Sequence, residues 1–260
     1  MDKNSPIGIF DSGLGGISVL SAIHSLLPNE NLLFLGDSKY NPYGTKTKEE
    51  ITARCIAICD WFMSQDVKAI VIACNTATSA CVDYLRQRYP IDIIGMEPAL
   101  KVACEMGPNQ KIAVWATDYT LKEKKFAHLM QRFEKEHCIY RVPCPKLVEL
   151  VEQDALDQET LIHATLDGYL KQAEQVDSIV LGCTHFVFYK KALRQWIDPS
   201  ISIVDGNEGT ARHLKDLLAK KDLLASSGGQ IQWNNTKEEK IALSKKLWKR
   251  LEEENVTCME

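Results

Sequence analysis

The chain lacks any long hydrophobic run: its first apolar stretch, Ile7–Phe10, is a few residues long, whereas a membrane helix needs roughly 20 apolar residues. With a polar Met1–Pro6 ahead of it, no secretory pattern is present either, and a cytoplasmic protein is expected. Basic charge is not in excess. The 31 Lys and Arg stand against 35 Asp and Glu, a net charge of −4, so no nucleic-acid surface is expected. The nine cysteines include no zinc-knuckle or thioredoxin-like pair, and in a reducing compartment they should be free thiols. The glycines of Asp11-Ser12-Gly13-Leu14-Gly15-Gly16 match neither a dinucleotide fingerprint nor a phosphate loop with its lysine. They suit a tight strand-to-helix turn instead. No linker divides the chain, and only Ser226–Gly229 reads as a flexible turn.

What is present is an alternation of short β-branched runs with longer amphipathic segments, the mark of βαβ units and a parallel sheet. Strands are expected near Ile7–Phe10, Leu32–Leu35, Lys68–Ala73, Ile91–Ile94, Lys111–Trp115, Cys138–Val142, Ser178–Leu181 and Ile201–Val204. Helices are expected between them, as at Thr47–Ser64 and Thr160–Gln175, and Lys237–Glu254 reads as a docked surface helix. The strands fall into two sets of four that repeat: Ile7 has its counterpart at Lys111 and Cys74 at Cys183. In each set the third strand is the most apolar, as a strand buried on both faces should be, and each runs into a cysteine.

Ligands in open α/β sheets bind beyond the carboxyl ends of the strands. Those ends carry Asp11-Ser12, then Gly36-Asp37 leading to Pro42-Tyr43-Gly44, then Cys74-Asn75-Thr76 in the first set. The second set offers Thr117-Asp118-Tyr119-Thr120 and Cys183-Thr184-His185. Asn75, Thr76 and Thr184 are good helix-capping residues. A cysteine beside a helix N-terminus meets free N–H groups and the positive end of the dipole, which favour its thiolate; the same N–H groups hold a carboxylate. Two such cysteines suit inversion of a stereocentre, which needs a base on one face and an acid on the other. Asp11 and His185 are candidates to orient or tune the thiols. The remaining cysteines, Cys55, Cys59, Cys81, Cys104, Cys138, Cys144 and Cys258, are read as inert, Cys258 in the tail. His24, His128, His137, His163 and His213 are assigned no role.

The segments Gly8–Gly16, Pro42-Tyr43-Gly44, Cys74–Thr78 and Leu181–His185, with Gly95–Ala99 and Val204–Arg212, together resemble bacterial glutamate racemases. The resemblance runs from about Ile7 to about Leu218. It implies two pseudo-symmetric, doubly wound parallel-sheet α/β domains with the active site in the cleft between them. The expected domains are residues 1–97 with 208–260, carrying Asp11 and Cys74, and residues 98–207, carrying Cys183 and His185. It further implies no cofactor, an amino-acid substrate, and D-glutamate made for peptidoglycan. By the resemblance Cys74 and Cys183 exchange protons with substrate, Asp11 assisting the first and His185 the second. Asp11, Ser12, Pro42, Tyr43, Gly44, Cys74, Asn75, Thr76, Thr117, Thr120, Cys183, Thr184 and His185 would line the pocket. Either Glu149 or Glu152 would support Cys183; the sequence leaves both open. Oligomeric state also stays open, a homodimer among the arrangements. The chain departs from the family at Phe186-Val187-Phe188 and at Gly206-Asn207, and its Gln230–Asn235 stretch is only loosely similar.

Three other readings are weighed. A racemase of aspartate or another small amino acid would use the same two thiols. A catalytically silent, gyrase-inhibiting member of the family would have lost a cysteine, and both are retained. A pyridoxal-dependent racemase needs a lysine Schiff base, and the strand-end loops carry only Lys39.

Overall fold

The computed structural model describes residues 2–173 and 175–257, so Cys258 lies outside the described residues. The strands are β1 (Ile7–Asp11), β2 (Leu32–Gly36), β3 (Ala69–Ile72), β4 (Asp92–Ile94), β5 (Lys111–Ala116), β6 (Cys138–Pro143), β7 (Ser178–Leu181), β8 (Ser202–Asp205) and β9 (Ile231–Asn235). The helices are α1 (Ile17–Leu26), α2 (Lys48–Ser64), α3 (Asn75–Arg88), α4 (Ala99–Cys104), α5 (Asp118–Lys122), α6 (Lys124–Phe133), α7 (Pro145–Glu152), α8 (Glu159–Leu170), α9 (Lys190–Trp196), α10 (Asn207–Lys220) and α11 (Lys240–Thr257). The helix expected over 160–175 ends earlier, at Leu170.

Local chemistry sets several of these boundaries. Helix α2 opens with a reciprocal capping box: the Glu50 N–H donates to Thr47 Oγ1 at 3.2 Å and the Thr47 N–H to Glu50 Oε2 at 2.8 Å. Helix α7 begins at Pro145, whose missing N–H costs nothing in a first turn. Strands β1, β2, β3 and β7 are buried at every residue, which follows from helices covering both faces of a parallel sheet.

All strand pairs are parallel, in two sheets ordered β4-β3-β1-β2-β9 and β6-β5-β7-β8. Without β9, each sheet has the order second, first, third, fourth, so the sequence repeat is a repeat of topology. Internal packing separates the chain into one unit of residues up to Glu97 together with those from Asn207 onward, and another of Pro98–Gly206. The return falls one residue before the expected boundary, because Asn207 opens α10, which packs on α1. In the second unit α4 brings Leu100 and Ala103 onto Ile112 and Val114 of β5 and Val180 of β7.

The free cysteines Cys55, Cys59, Cys81, Cys104 and Cys144 are buried, as expected of inert thiols, but Cys138 is exposed. It begins β6, an edge strand of its sheet, where one side has no neighbour to cover it.

Candidate active site

The chain places β2 on one side of β1 and β3 on the other, which opens a crevice at the carboxyl ends of β1 and β3. Asp11 is the last residue of β1, fully buried, and its Oδ2 accepts the Gly13 N–H at 3.0 Å. A Cβ on Gly16 would lie 2.5 Å from that of Asp11, so this turn passes too close to tolerate any other residue. Cys74 is the N-cap of α3. Its thiol reaches Ser12 Oγ at 3.7 Å, which joins the two strand ends. Thr76 is buried in the first turn of α3, and Asn75 is half-buried beside it.

The loop after β2 supplies the rest of this half. Tyr43 opens a short 3-10 turn, Tyr43–Thr45, and is 1% exposed; Pro42 is exposed and Gly44 half-buried. The Tyr43 hydroxyl donates to Asp37 Oδ2 at 2.6 Å. Burial pushes the Tyr43 hydroxyl far above its ordinary value, with neighbouring acidic groups at Cys55, Asp37 and Cys74 adding to the shift, so Tyr43 stays a donor. Asp37 is fully buried and accepts both Nε and Nη2 of Arg54, each at 3.0 Å.

In the second unit the crevice lies between β5 and β7. Cys183 follows β7 and leads into a 3-10 turn, Thr184–Tyr189. The Cys183 sulfur is 3.8 Å from His185 Nδ1, and His185 Nε2 is 2.9 Å from Glu152 Oε1. The His185 side chain is 2% exposed and that of Glu152 is 13% exposed. Glu149 instead pairs with Lys146 at 2.8 Å on the surface. Of the two glutamates, Glu152 meets the histidine. Thr117 caps α5, accepting the Thr120 N–H at 3.2 Å and donating to the buried Thr120 Oγ1 at 3.0 Å. Thr184 is buried as well. Cys144 lies close enough that burial, reinforced by Cys183, raises its thiol well above the ordinary range.

Register makes the two halves comparable. Phe10 pairs with Ile72 and Trp115 with Leu181, and the Ala73 and Gly182 N–H groups donate to the Phe10 and Trp115 carbonyls, both at 2.7 Å. Asp11 therefore corresponds to Ala116, Ser12 to Thr117 and Cys74 to Cys183. The Asp37 and Cys144 N–H groups donate to the Asp11 and Ala116 carbonyls at 2.9 and 3.0 Å, so Asp37 corresponds to Cys144.

The departures from the family pattern are packed rather than loose. Phe186 and Phe188 are buried within the turn after Cys183, and Asn207 Nδ2 donates to Ser18 Oγ at 3.0 Å. Asp37 and Arg54 belong to the surroundings of Tyr43 but were given no role from sequence. An acidic residue directly after a strand end was the available signal for Asp37. Arg54 carried none. Among the described residues no group of three or more His, Cys, Asp or Glu is arranged to hold a metal, and Lys39 is exposed.

The fold recurs in solved proteins. The crystal structure of glutamate racemase from Thermus thermophilus in complex with β-chloro-D-alanine superposes with a TM-score of 0.81 at 31% identity, covering 95% of this chain and 94% of that one. That of the Francisella tularensis enzyme in complex with D-glutamate gives 0.80 at 25% identity over 95% and 94%. A glutamate racemase of Bifidobacterium animalis subsp. lactis is 51% identical over 249 residues, 93% of this chain and 96% of the relative. The family model for Asp/Glu/Hydantoin racemases matches residues 7–214. The chain belongs to the Asp/Glu/Hydantoin racemase family.

Proposed function

We propose that this chain is a glutamate racemase that works without a cofactor, with Cys74 and Cys183 as its two acid–base groups. The duplication carries the reading: in each unit a cysteine follows the third strand at the switch point, Cys74 touching Ser12 Oγ and Cys183 lying 3.8 Å from His185 Nδ1. Inversion at Cα requires that a proton leave one face and another arrive on the opposite face. One thiolate takes the α-proton, the electron pair stays on Cα and delocalises into the adjacent carboxylate, and the other thiol delivers its proton from behind. The first cysteine is then a thiol and the second a thiolate, set for the reverse reaction.

In this reading the polar side chains and backbone of Ser12, Pro42–Gly44, Asn75, Thr76, Thr117, Thr120 and Thr184 hold the substrate. Asp11 serves Cys74. His185, steadied by Glu152 at 2.9 Å, serves Cys183. Glutamate is favoured as substrate by the 51% identical relative and by the Francisella enzyme crystallised with D-glutamate. The product would be D-glutamate for peptidoglycan, made in the cytoplasm; no helix among the described residues is long and apolar enough to cross a membrane.

Circular dichroism of the purified protein with L-glutamate in deuterated water, without pyridoxal phosphate or metal, tests the proposal. The ellipticity should decay to zero, with solvent deuterium at Cα of the D-product. A requirement for pyridoxal phosphate, or inversion that keeps the original proton, overturns it. The same assay with L-aspartate distinguishes the neighbouring substrate.

A further inference from the structure

We propose that Arg54 is a positioning residue for the Pro42–Tyr43–Gly44 corner and, through it, for substrate binding beside Cys74; the assignment rests on the racemase reading above. Asp37 directly follows β2 and its carboxylate is wholly buried. A buried anion persists only when it is paired and its lone pairs are satisfied. Arg54 meets that need side-on, with Nε on Oδ2 and Nη2 on Oδ1 at 3.0 Å each, a fork that a lysine does not reproduce. Its guanidinium also lies 3.7 Å from the centre of the Tyr40 ring, so it is held on a face as well as at its edge.

The Tyr43 hydroxyl donates at 2.6 Å to the same Oδ2 that Arg54 Nε occupies. Where the guanidinium holds the carboxylate is therefore where Tyr43 must anchor, and Gly44 follows by one peptide. The far flank of the loop is fastened separately by β9 and the residue after it: Asn235 Nδ2 donates to Ser38 Oγ and the Lys39 N–H to Thr236 Oγ1, both at 3.0 Å. Arg54 is the tie at the Tyr43 end. A corner that touches substrate equally in ground and transition states governs KM more than kcat.

Steady-state racemisation of both glutamate enantiomers by the full-length parent, Arg54→Lys, Arg54→Met and the double variant Arg54→Met/Asp37→Asn tests this, with a thermal melt of each. Arg54→Lys, which keeps the charge and loses the fork, should raise KM by about tenfold and leave kcat within about threefold. Arg54→Met should raise KM further and lower the melting temperature, because the buried Asp37 charge loses its partner; the added Asp37→Asn should recover the melting temperature but not KM. If Arg54→Met does not fold, Arg54→Lys decides. An unchanged KM in Arg54→Lys, or a loss of kcat that only tracks the melt, overturns the assignment while leaving an active parent as a racemase. An inactive parent overturns the racemase reading first, and this assignment with it.

Discussion

Cys74 and Cys183 leave their strands with nearly the same backbone, φ −142°, ψ 116° and φ −146°, ψ 135°, yet their neighbours come from different places. In the first unit the proposed ionisable companion, Asp11, sits at the end of β1, where the second unit has Ala116. In the second unit it is His185, two residues past the cysteine, where the first unit has Thr76. The second unit adds Glu152 from α7 behind the histidine. In the first, the loop after β2 contributes Asp37 with Tyr43 and Arg54, and its counterpart Cys144 is a buried, protonated thiol. At the strand ends the hydrogen-bonded frame is duplicated, and the side chains hung on it have diverged. A shared frame fixes where a sulfur stands; the side chains that meet it differ between the units.

The most severe way to break the comparison is to remove one sulfur. Cys74→Ala or Cys183→Ala should each reduce racemisation in both directions by roughly 10³-fold or more, since inversion needs acid and base together. The halves should then separate by face. By the family resemblance Cys183→Ala keeps slow α-proton exchange of D-glutamate, and Cys74→Ala that of L-glutamate, read by NMR in deuterated water. Near-parent inversion by either variant rules that cysteine out.

A smaller effect is expected behind Cys183. Glu152→Gln should lower kcat/KM by about tenfold, because in the proposed mechanism Glu152 acts through His185, which it meets at 2.9 Å, and not on substrate. The two enantiomers have equal free energy, so kcat/KM must fall equally in both directions; the asymmetry belongs in the exchange of L-glutamate alone.

Alkaline pH sharpens the comparison through stability. Burial pushes the Cys59 thiol from 9.0 up to about 12. Cys55 moves the same way, mainly through its hydrogen bond with Cys81, and Cys144 through burial. Above pH about 9 the unfolded chain releases these protons and the folded chain keeps them. Stability should therefore fall with rising pH, by about 1.4 kcal/mol per unit for each such thiol. Cys59→Ala should flatten the loss between about pH 9 and 11 in urea titrations; an unaltered slope counts against a protonated Cys59. At the bottom of the scale, Glu149→Gln should change kcat/KM less than about twofold, since its exposed pair with Lys146 is of the kind worth little.

The strand positions of both repeats and the two cysteine positions were legible because buried parallel strands are nearly all apolar and each third strand leads to its cysteine. The choice between Glu149 and Glu152 was not, for a geometric reason: residues three apart on a helix share a face, so spacing cannot separate them. Arg54 was hidden because its partner lies 17 residues away and a lone arginine in a helix reads as a solvent-facing charge. Strand β9 was faint for the opposite reason to β3. It is an edge strand, only half-buried, reading Ile-Gln-Trp-Asn-Asn, with little apolar pattern to mark it.

That same edge strand imposes an order on synthesis. The second unit is a continuous stretch, Pro98–Gly206, and leaves the ribosome whole. The first is interrupted, and β2 waits for β9 to cover its open side. At about 5–20 residues per second, the 197 residues separating Lys39 from its partner Thr236 correspond to a wait of about 10–40 s. Through that interval the nascent chain carries the hydrophobic run Leu32-Leu-Phe-Leu35 with one row of backbone hydrogen-bonding groups unclaimed, the kind of edge on which chains pair with one another. The unit whose sequence begins first is the one that finishes last, and its exposure to aggregation is a property of gene order rather than of the finished molecule.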